Sequence, residues 1–279
     1  MSLILNGSTQ YAYSNTPAVT DAGFTVSVWF QGTDVLSQYA LWSEDSGSSD
    51  NIWSLEASGH VANDPIRCMA YKSGWSVASS TAGFSAGSWQ HACGIWEDAA
   101  VRDAFVNGGS KGSVSASKAV VNLAIMYIGK YINGGFLAGK IAEVAVWDTT
   151  LSDAEVALLA GGTLPTSVQA GHLIAYWPLL NDANDDVGSN NLSLVGTPSF
   201  DSEDHPSLGP SYVDATATLS GSGSLTATAT LVTIYDLSVT LAGTGTLTAT
   251  ASVIGGIPSL RSASRKMIII GNDSLYYQD

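Results

Sequence analysis

The sequence is poor in basic residues and has no long apolar run. Its 279 residues include only 10 Lys and Arg against 24 Asp and Glu, which gives a formal net charge of −14. Such an acidic chain would repel a phosphate backbone, so we do not expect nucleic acid as a partner. No stretch approaches the roughly 18 apolar residues of a membrane-spanning helix, so we expect no membrane insertion.

Cysteine is scarce as well. Cys68 and Cys93 are the two cysteines, too few for a disulfide framework or a metal site in a chain of this size, and we expect buried thiols. Residues 1–7 indicate a short strand entering a turn, and not the basic and apolar regions of a secretion signal. We therefore expect the folded structure to begin near residue 2.

Strand-forming patterns fill the first 200 residues. Hydrophobic residues make up 45% of the chain and charged residues only 12%, and 29 glycines supply turns. Residues 24–30 and 141–147 alternate in the period-two pattern of half-buried strands. The sequence predicts an all-β antiparallel sandwich with one short helix, which begins at the capping box Ser152–Glu155 and ends near Gly161.

A compositional change near Pro210 predicts a boundary between a sandwich domain, residues 1–210, and a small β-rich tail, residues 211–279. Residues 217–232 recur as 239–254, an offset of 22 residues (239 − 217). Each copy alternates Thr with Ala or Leu, and two such units bury too little apolar area to fold alone. We expect them to pair with other copies or with another protein, and a flexible linker is the alternative interpretation.

The end of the tail is the one basic segment of this acidic chain. Arg261, Arg265 and Lys266 precede an apolar run at 267–270. The basic C-terminal segment, residues 261–279, is interpreted either as a docking strand or as the closing edge of the tail.

Three groups of segments carry a family resemblance: residues 5–12 with 24–30, residues 87–92 with 105–108, and residues 128–156. They resemble the laminin-G-like branch of the concanavalin A-like lectin/glucanase jelly-roll family, in the variant found in bacteriophage and microbial surface proteins. The resemblance implies a jelly-roll sandwich that works by adhesion or assembly. Residues 174–182 resemble the segment that usually opens such domains, and here we expect them to complete the same sheet.

The acidic residues do not predict an enzyme. Glucanases with this architecture carry closely spaced acidic residues on one strand, because a nucleophile and an acid must flank one glycosidic bond. The six Glu residues here are far apart in sequence, and Glu143 is interpreted as a sheet-edge or turn-capping residue. His91, which lies between Trp89 and Cys93, is interpreted as a core histidine and not as the base of a nucleophile pair.

Two sets of residues are predicted to bind ligands. Trp75, Trp42 and Tyr131 border loops, where exposed rings would form a carbohydrate-binding platform. Asp182, Asn184 and Asp186 lie in an oxygen-rich segment typical of calcium loops, although Asx-rich turns also form without metal. No other cofactor is predicted.

The resemblance and the tail together predict a virion-associated decoration protein of a bacteriophage capsid or tail. It would present the jelly roll to a carbohydrate or protein and use residues 211–279 to contact other virion subunits or to form a homo-oligomer. The first alternative is a secreted or cell-surface bacterial lectin-like module, and the second is a glycoside-active enzyme.

Overall fold

The computed structural model describes residues 1–201, 204–206 and 208 and, beyond them, six short strands. The chain divides into two compact units, Met1–Pro206 and Ser207–Asp279. The predicted boundary at residues 210 and 211 lies outside the described residues. None of the described residues forms a helix with the length and apolar character that crossing a membrane requires.

The first unit is an antiparallel sandwich, as predicted. Its strands are β1 Ser2–Asn6, β2 Tyr11–Ser14, β3 Phe24–Gly32, β4 Gln38–Asp45, β5 Ile52–Ser58, β6 Pro65–Tyr71, β7 Trp75–Gly83, β8 Gln90–Trp96, β9 Val101–Val106, β10 Gly109–Ser115, β11 Ile125–Ile128, β12 Ala138–Trp147, β13 Leu173–Trp177, β14 Ser193–Val195 and β15 Ser199–Asp201. The eight-stranded sheet has the order β10-β9-β8-β3-β12-β1-β15, with β13 also paired to β12. The seven-stranded sheet has the order β14-β2-β11-β4-β5-β6-β7.

Local sequence explains several connections. Asn107 and Gly108 join β9 to β10 with positive φ angles of 50° and 74°, the conformation that an Asn-Gly hairpin turn requires. At Gly112 an added Cβ would lie 1.6 Å from the Ser79 carbonyl oxygen, so only glycine lets β10 approach β7 this closely. The turn joins β9 and β10 into a hairpin, and Gly112 lets that hairpin pack against β7.

The helix, α1, spans Asp153–Ala160 and has the predicted capping box. The Ser152 hydroxyl accepts from the Glu155 amide, and the Glu155 carboxylate accepts from the Ser152 amide. Val156 and Leu159 are buried in a cluster with Trp147, on the outer side of the eight-stranded sheet. The helix therefore covers the sandwich, and a 3₁₀ turn, Pro165–Ser167, follows it.

The segment at 174–182 also behaves as predicted. Its strand, β13, pairs antiparallel with β12 and so completes the eight-stranded sheet. The main core lies between the two sheets and contains the fully buried rings of Phe24, Trp42 and Trp96. Cys68 and Cys93 are buried free thiols, as expected, and burial raises the pKa of both.

The structure confirms the prediction for His91 but not the one for Glu143. His91 is fully buried, as a core histidine should be; its Nε2 lies 2.8 Å from the Ser27 hydroxyl, and burial lowers its pKa to about 3. The sheet-edge interpretation of Glu143 is wrong, because β12 is paired on both sides. Glu143 lies at a bulge with φ 55°, where its buried carboxylate accepts from the Tyr176 hydroxyl at 2.5 Å.

In the second unit the two repeat copies pair with each other. The strands are β16 Thr218–Ser220, β17 Gly223–Leu231, β18 Thr240–Ala242, β19 Gly245–Val253, β20 Lys266–Ile269 and β21 Leu275–Gln278. β16 pairs with β18 and β17 with β19, parallel and in register, so that each residue faces its equivalent 22 positions on, as Gly223 faces Gly245. β20 and β21 form an antiparallel pair.

Candidate functional site

The outer face of the seven-stranded sheet carries an aromatic cluster. Along β2, Ala12 packs in the core, so period-two alternation turns Tyr11 and Tyr13 to the opposite face. Along β11, Met126 and Ile128 pack in the core, and Tyr127 is turned outward. Because Tyr127 lies directly opposite Tyr13 in the register of β2 and β11, the tyrosines of two strands come together.

A fourth ring comes from the loop between β11 and β12. The Phe136 ring centroid lies 6.1 Å from that of Tyr11, which is also 6.1 Å from Tyr13 and 5.9 Å from Tyr127. These separations lie in the range of favourable tilted and edge contacts between rings. We name Tyr11, Tyr13, Tyr127 and Phe136 the four-ring cluster; each of its members is partly exposed.

An ammonium group lies among the rings. Lys130 Nζ is 4.6 Å from the centroid of Tyr11, 4.8 Å from that of Tyr127 and 5.3 Å from that of Phe136, which are cation–π distances. Desolvation lowers the pKa of Lys130, and the negative charge of Asp45 partly offsets that effect. In the described part of the chain, Lys130 has no carboxylate within salt-bridge distance and no hydrogen-bond acceptor at Nζ.

Asp45 lies beneath this surface. It is opposite Ile125 in the pairing of β4 and β11, and it is fully buried. Its Oδ1 accepts from the Gly47 amide at 2.8 Å, and its Oδ2 is buried without a hydrogen-bond partner. Desolvation raises the pKa of Asp45, although the Gly47 amide and Lys130 act in the opposite direction. The carboxylate therefore acts on the cluster through its charge.

The loop that carries Lys130 and Phe136, residues 129–137, is attached to the sheet by backbone contacts. The Gly135 carbonyl accepts from the Ala40 amide at 2.8 Å, and Tyr131 and Gly134 form a β-bridge. Tyr131 packs closely over Gly135, where an added Cβ would lie 2.6 Å from its ring. The loop thus supplies one ring and one cation to a platform built on two strands.

The predicted platform residues lie in three different places. Trp75 is 45% exposed on the same outer face, where its ring contacts Tyr71 with a centroid separation of 4.9 Å. Tyr131 is half-buried in the loop described above. Trp42 requires a correction: it is fully buried between the sheets against Phe24 and Trp96, because β4 turns it inward, and a buried ring offers no face to a sugar.

The predicted calcium residues, Asp182, Asn184 and Asp186, are all exposed. The Asp182 carboxylate is already engaged by Asn184, whose backbone amide and side-chain amide both donate to it. Among the described residues, no group of three or more His, Cys, Asp and Glu side chains is arranged to hold a metal ion. The calcium site stays a prediction.

Asp185, which is not among the three predicted ligands, organises this segment. Its Oδ1 accepts from the amides of Tyr176, Val187 and Gly188, and its Oδ2 accepts from the amide of Asn190. It is the buried member of the acidic run. Because four backbone N–H groups donate to this one carboxylate, Asp185 holds the loop in its conformation and has a structural role.

A second acidic side chain is buried in the core. Glu44 is fully buried; its Oε1 accepts from the Ala18 amide at 2.5 Å and the Val19 amide at 3.4 Å, and its Oε2 has no partner. Desolvation raises the pKa of Glu44 well above its ordinary value of 4.5, in spite of the two amide donors. The fold therefore favours the neutral acid.

A Glu44→Gln variant is expected to be more stable than the wild type at pH 8 by about 1–3 kcal/mol, and to lose that advantage near pH 4. The unfolded chain ionises Glu44 above its ordinary pKa, whereas the folded chain resists ionisation. The contribution of Glu44 to the wild-type free energy of unfolding is therefore fully present below about pH 4.5 and is lost as the pH rises through the raised pKa. Urea unfolding at both pH values measures the difference.

Glu97→Gln, at an exposed position, is the control. An equal effect of Glu44→Gln at both pH values would contradict a raised pKa of the buried Glu44 carboxyl group.

The four-ring cluster was missed in the sequence because its members come from distant positions. Tyr11 and Tyr13 are two residues apart, which does place them on one face of a strand. Their meeting with Tyr127 depends on the pairing of β2 with β11, which no local pattern specifies. The available signal was the alternation Tyr11-Ala12-Tyr13 next to a strand of apolar alternation at 126–128.

Comparison with known proteins finds similar solved structures and one family model. No curated protein matches this chain. Similar solved structures include domain 4 of AbnA, a GH43 extracellular arabinanase from Geobacillus stearothermophilus in complex with arabinotriose (17% identity, 57% of this chain and 76% of that chain, TM-score 0.48). A second is the Ruminococcus gnavus IT-sialidase CBM40 bound to α2,3-sialyllactose (15% identity, 57% of this chain and 96% of that chain, TM-score 0.48). A third is a heptameric SAP-like pentraxin from Limulus polyphemus (16% identity, 57% of this chain and 81% of that chain, TM-score 0.43). At these identities the likenesses concern the fold and not the ligand.

A family model gives a firmer result. The laminin-G-like model described as the concanavalin A-like lectin/glucanases superfamily matches residues 6–157. The match includes β2, β11 and the loop at 129–137, and so all four rings of the cluster lie within it. Because the matched segment is more than half of the 279 residues, this chain belongs to the concanavalin A-like lectin/glucanases superfamily.

Proposed function

We propose that this protein is a lectin-like carbohydrate-binding module and that the four-ring cluster is its contact surface. The observation that carries the proposal is the cluster itself: four partly exposed rings gathered on the outer face of a sheet. Aromatic rings offer flat apolar faces to the C–H groups of a sugar, and tyrosine hydroxyls offer hydrogen bonds to its edges. Membership of a family of lectins and glucanases agrees with this use.

Rigidity supports the proposal. Three of the rings come from paired strands, and the fourth comes from a loop tied to β4 by the bond between Ala40 and Gly135. Side chains already held in place lose little conformational entropy when a ligand arrives, so more of the contact energy appears as affinity. A platform of this kind suits recognition of a repeated sugar unit.

We propose binding and not catalysis, and the state of three carboxylates supports this choice. Asp201 and Asp204 share Lys140, at 2.8 and 2.6 Å from its Nζ. Asp45, which acts on the cluster, is fully buried beneath it and so does not reach a glycosidic bond at the surface. Hydrolysis of a glycosidic bond requires two carboxyl groups on either side of it. The surface around the four-ring cluster offers stacking and hydrogen bonds instead.

Trp75 and Tyr71 form an aromatic pair that we propose as an outer contact for longer ligands. The pair lies on β6 and β7, on the same outer face as the cluster. Four strand spacings separate β11 from β7 in the sheet, which is about 19 Å at roughly 4.8 Å per strand. A short sugar would contact the cluster alone. Tyr131, in the loop beside it, is retained as a flanking contact.

The setting of the proposed function is extracellular or at a cell surface, where glycans are presented. The role as a virion-associated capsid or tail protein stays a prediction, as do homo-oligomerisation and contact with virion subunits through residues 211–279. The in-register pairing of the two repeat copies is compatible with an assembly module but does not identify a partner.

A glycan array tests the proposal. The full chain is expected to be retained on a subset of glycans and to release no hydrolysis products from them. Phe136→Ala should lose retention on all of these glycans, because it removes one of the four rings. Trp75→Ala should keep retention on short glycans and lose it on longer members of the same series.

Two outcomes would overturn the proposal. The first is the absence of retained glycans, and the second is the release of cleaved products with wild-type protein. Retention that Trp75→Ala abolishes for every chain length, while Phe136→Ala leaves it intact, would move the site to the pair formed by Tyr71 and Trp75.

A further inference from the structure

Among the lysines whose side chains the structure describes, Lys130 differs from the others in its partners. Lys72, Lys111 and Lys140 each form at least one ion pair with a carboxylate, and Lys118 donates to the Lys72 carbonyl. Lys130 has neither kind of partner among the described residues, although the chain contains 24 acidic side chains. Its three N–H donors face rings that accept them only weakly.

We propose that Lys130 selects glycans that carry a carboxylate, such as a hexuronic acid or a sialic acid. The proposal rests on the proposed function and specifies the ligand class of the same site. A sugar stacked on the four-ring cluster would lie next to the ammonium group, since Nζ is within 5.3 Å of three of the ring centroids. A carboxylate at the edge of that sugar would accept a charge-assisted hydrogen bond, which is stronger than a bond from a neutral hydroxyl.

The surroundings of Lys130 favour an anion more than bulk water would. Partial burial disfavours its positive charge, so a carboxylate from the ligand would stabilise an ammonium group that the protein alone leaves incompletely compensated. Asp45 is the negative group that faces Lys130, and it is too deeply buried to contact a ligand. It offsets the charge of Lys130 only in part and does not occupy the N–H donors.

The overall acidity of the chain sets the expected selectivity. With a net charge of −14, the protein repels highly charged polymers at long range, and physiological salt screens that repulsion beyond about 8 Å. A single carboxylate next to an aromatic face is therefore favoured over a densely sulfated chain. The inferred ligand combines an apolar sugar face with one nearby carboxylate.

The experiment compares matched ligands by calorimetric titration of the full chain. One pair is a tetrasaccharide with a single glucuronate residue and its carboxyl-reduced form, and the other is sialyllactose and its carboxyl-reduced form. We expect the wild type to bind the acidic member of at least one pair about tenfold more tightly, the size of effect that a hydrogen bond to a charged group gives. Lys130→Gln should reduce that preference to less than about twofold, and Lys130→Arg should keep most of it. The control is Lys72→Gln, which removes a lysine already paired with Asp50 and should leave the preference unchanged.

The outcomes separate this inference from the proposed function. If the wild type binds neutral and acidic members equally, or if Lys130→Gln keeps the preference, the inference is wrong, while loss of binding in Phe136→Ala still supports a glycan site at the cluster. If the wild type binds neither acidic probe and no carboxylated glycan on the array, the inference is also wrong. The array as a whole then decides whether the proposed function survives.

Discussion

Trp96→Ala is expected to destabilise the sandwich by about 3–5 kcal/mol, the cost typical of a large aromatic side chain removed from a packed core. The Trp96 ring is fully buried and stacks on Phe24 with a centroid separation of 4.6 Å and an interplanar angle of 11°. It also lies 5.6 Å from Trp42, and its Nε1 donates to the Met69 carbonyl at 3.0 Å. The substitution therefore opens a cavity and removes one hydrogen-bond donor from a buried carbonyl.

This loss would be a large part of the total stability of a domain, which is commonly 5–15 kcal/mol. Guanidinium unfolding followed by circular dichroism measures it. Trp75→Ala is the matched control, because Trp75 is 45% exposed, and we expect it to cost less than about 1 kcal/mol. Trp96→Phe keeps a ring but not the N–H donor, so its cost should fall between the two. Equal costs for Trp96→Ala and Trp75→Ala would show that Trp96 does not lie between the sheets.

Tyr11→Ala is expected to weaken glycan binding by about 30-fold or more, as removal of a central interface aromatic commonly does. Tyr11 contacts the other three rings of the cluster and lies 4.6 Å from Lys130 Nζ, so its loss disturbs every member. Calorimetric titration with a glycan identified on the array gives the dissociation constants. Tyr11→Phe should keep most of the affinity if stacking dominates, and it isolates the contribution of the hydroxyl.

A matched control is needed because Tyr11 also supports the loop at 129–137. Unfolding measurements on Tyr11→Ala should show a cost of about 1–2 kcal/mol, consistent with a half-exposed ring, and a folded protein at the titration temperature. Trp75→Ala should leave binding of a short glycan within about twofold of the wild type. Unchanged affinity in a folded Tyr11→Ala variant would remove the four-ring cluster from the binding site.

Much of the sandwich was predictable because its signals are local. Period-two alternation placed strands at 24–30 and 141–147, and the structure has β3 and β12 there. The capping box at Ser152 and Glu155 predicted the helix, because both partners lie within one turn. The family resemblance was drawn from segments between residues 5 and 156, and the matched family model covers residues 6–157.

Residue placement within the site was less predictable, since it depends on strand pairing. Trp42 lies on β4, whose pairing with β5 shifts in register between Ala40 and Trp42. Its position next to a loop therefore did not indicate which face of the sheet its side chain occupies. Among the acidic residues at 182–186, burial selects Asp185 as the structural centre, and burial cannot be read from a local sequence pattern. The four-ring cluster joins residues more than 100 positions apart, which only the sheet order brings together.

The central claim is that glycan binds to the outer face of the seven-stranded sheet at the four-ring cluster. Hydroxyl-radical footprinting of the full chain, read by mass spectrometry with and without a saturating glycan from the array, tests it directly. We predict that side-chain oxidation falls at Tyr11, Tyr13, Tyr127 and Phe136 and is unchanged at Leu158, which is exposed on the helix. Protection confined to the segment at 181–190 or to the helix, with the four rings oxidised as in the free protein, would contradict it.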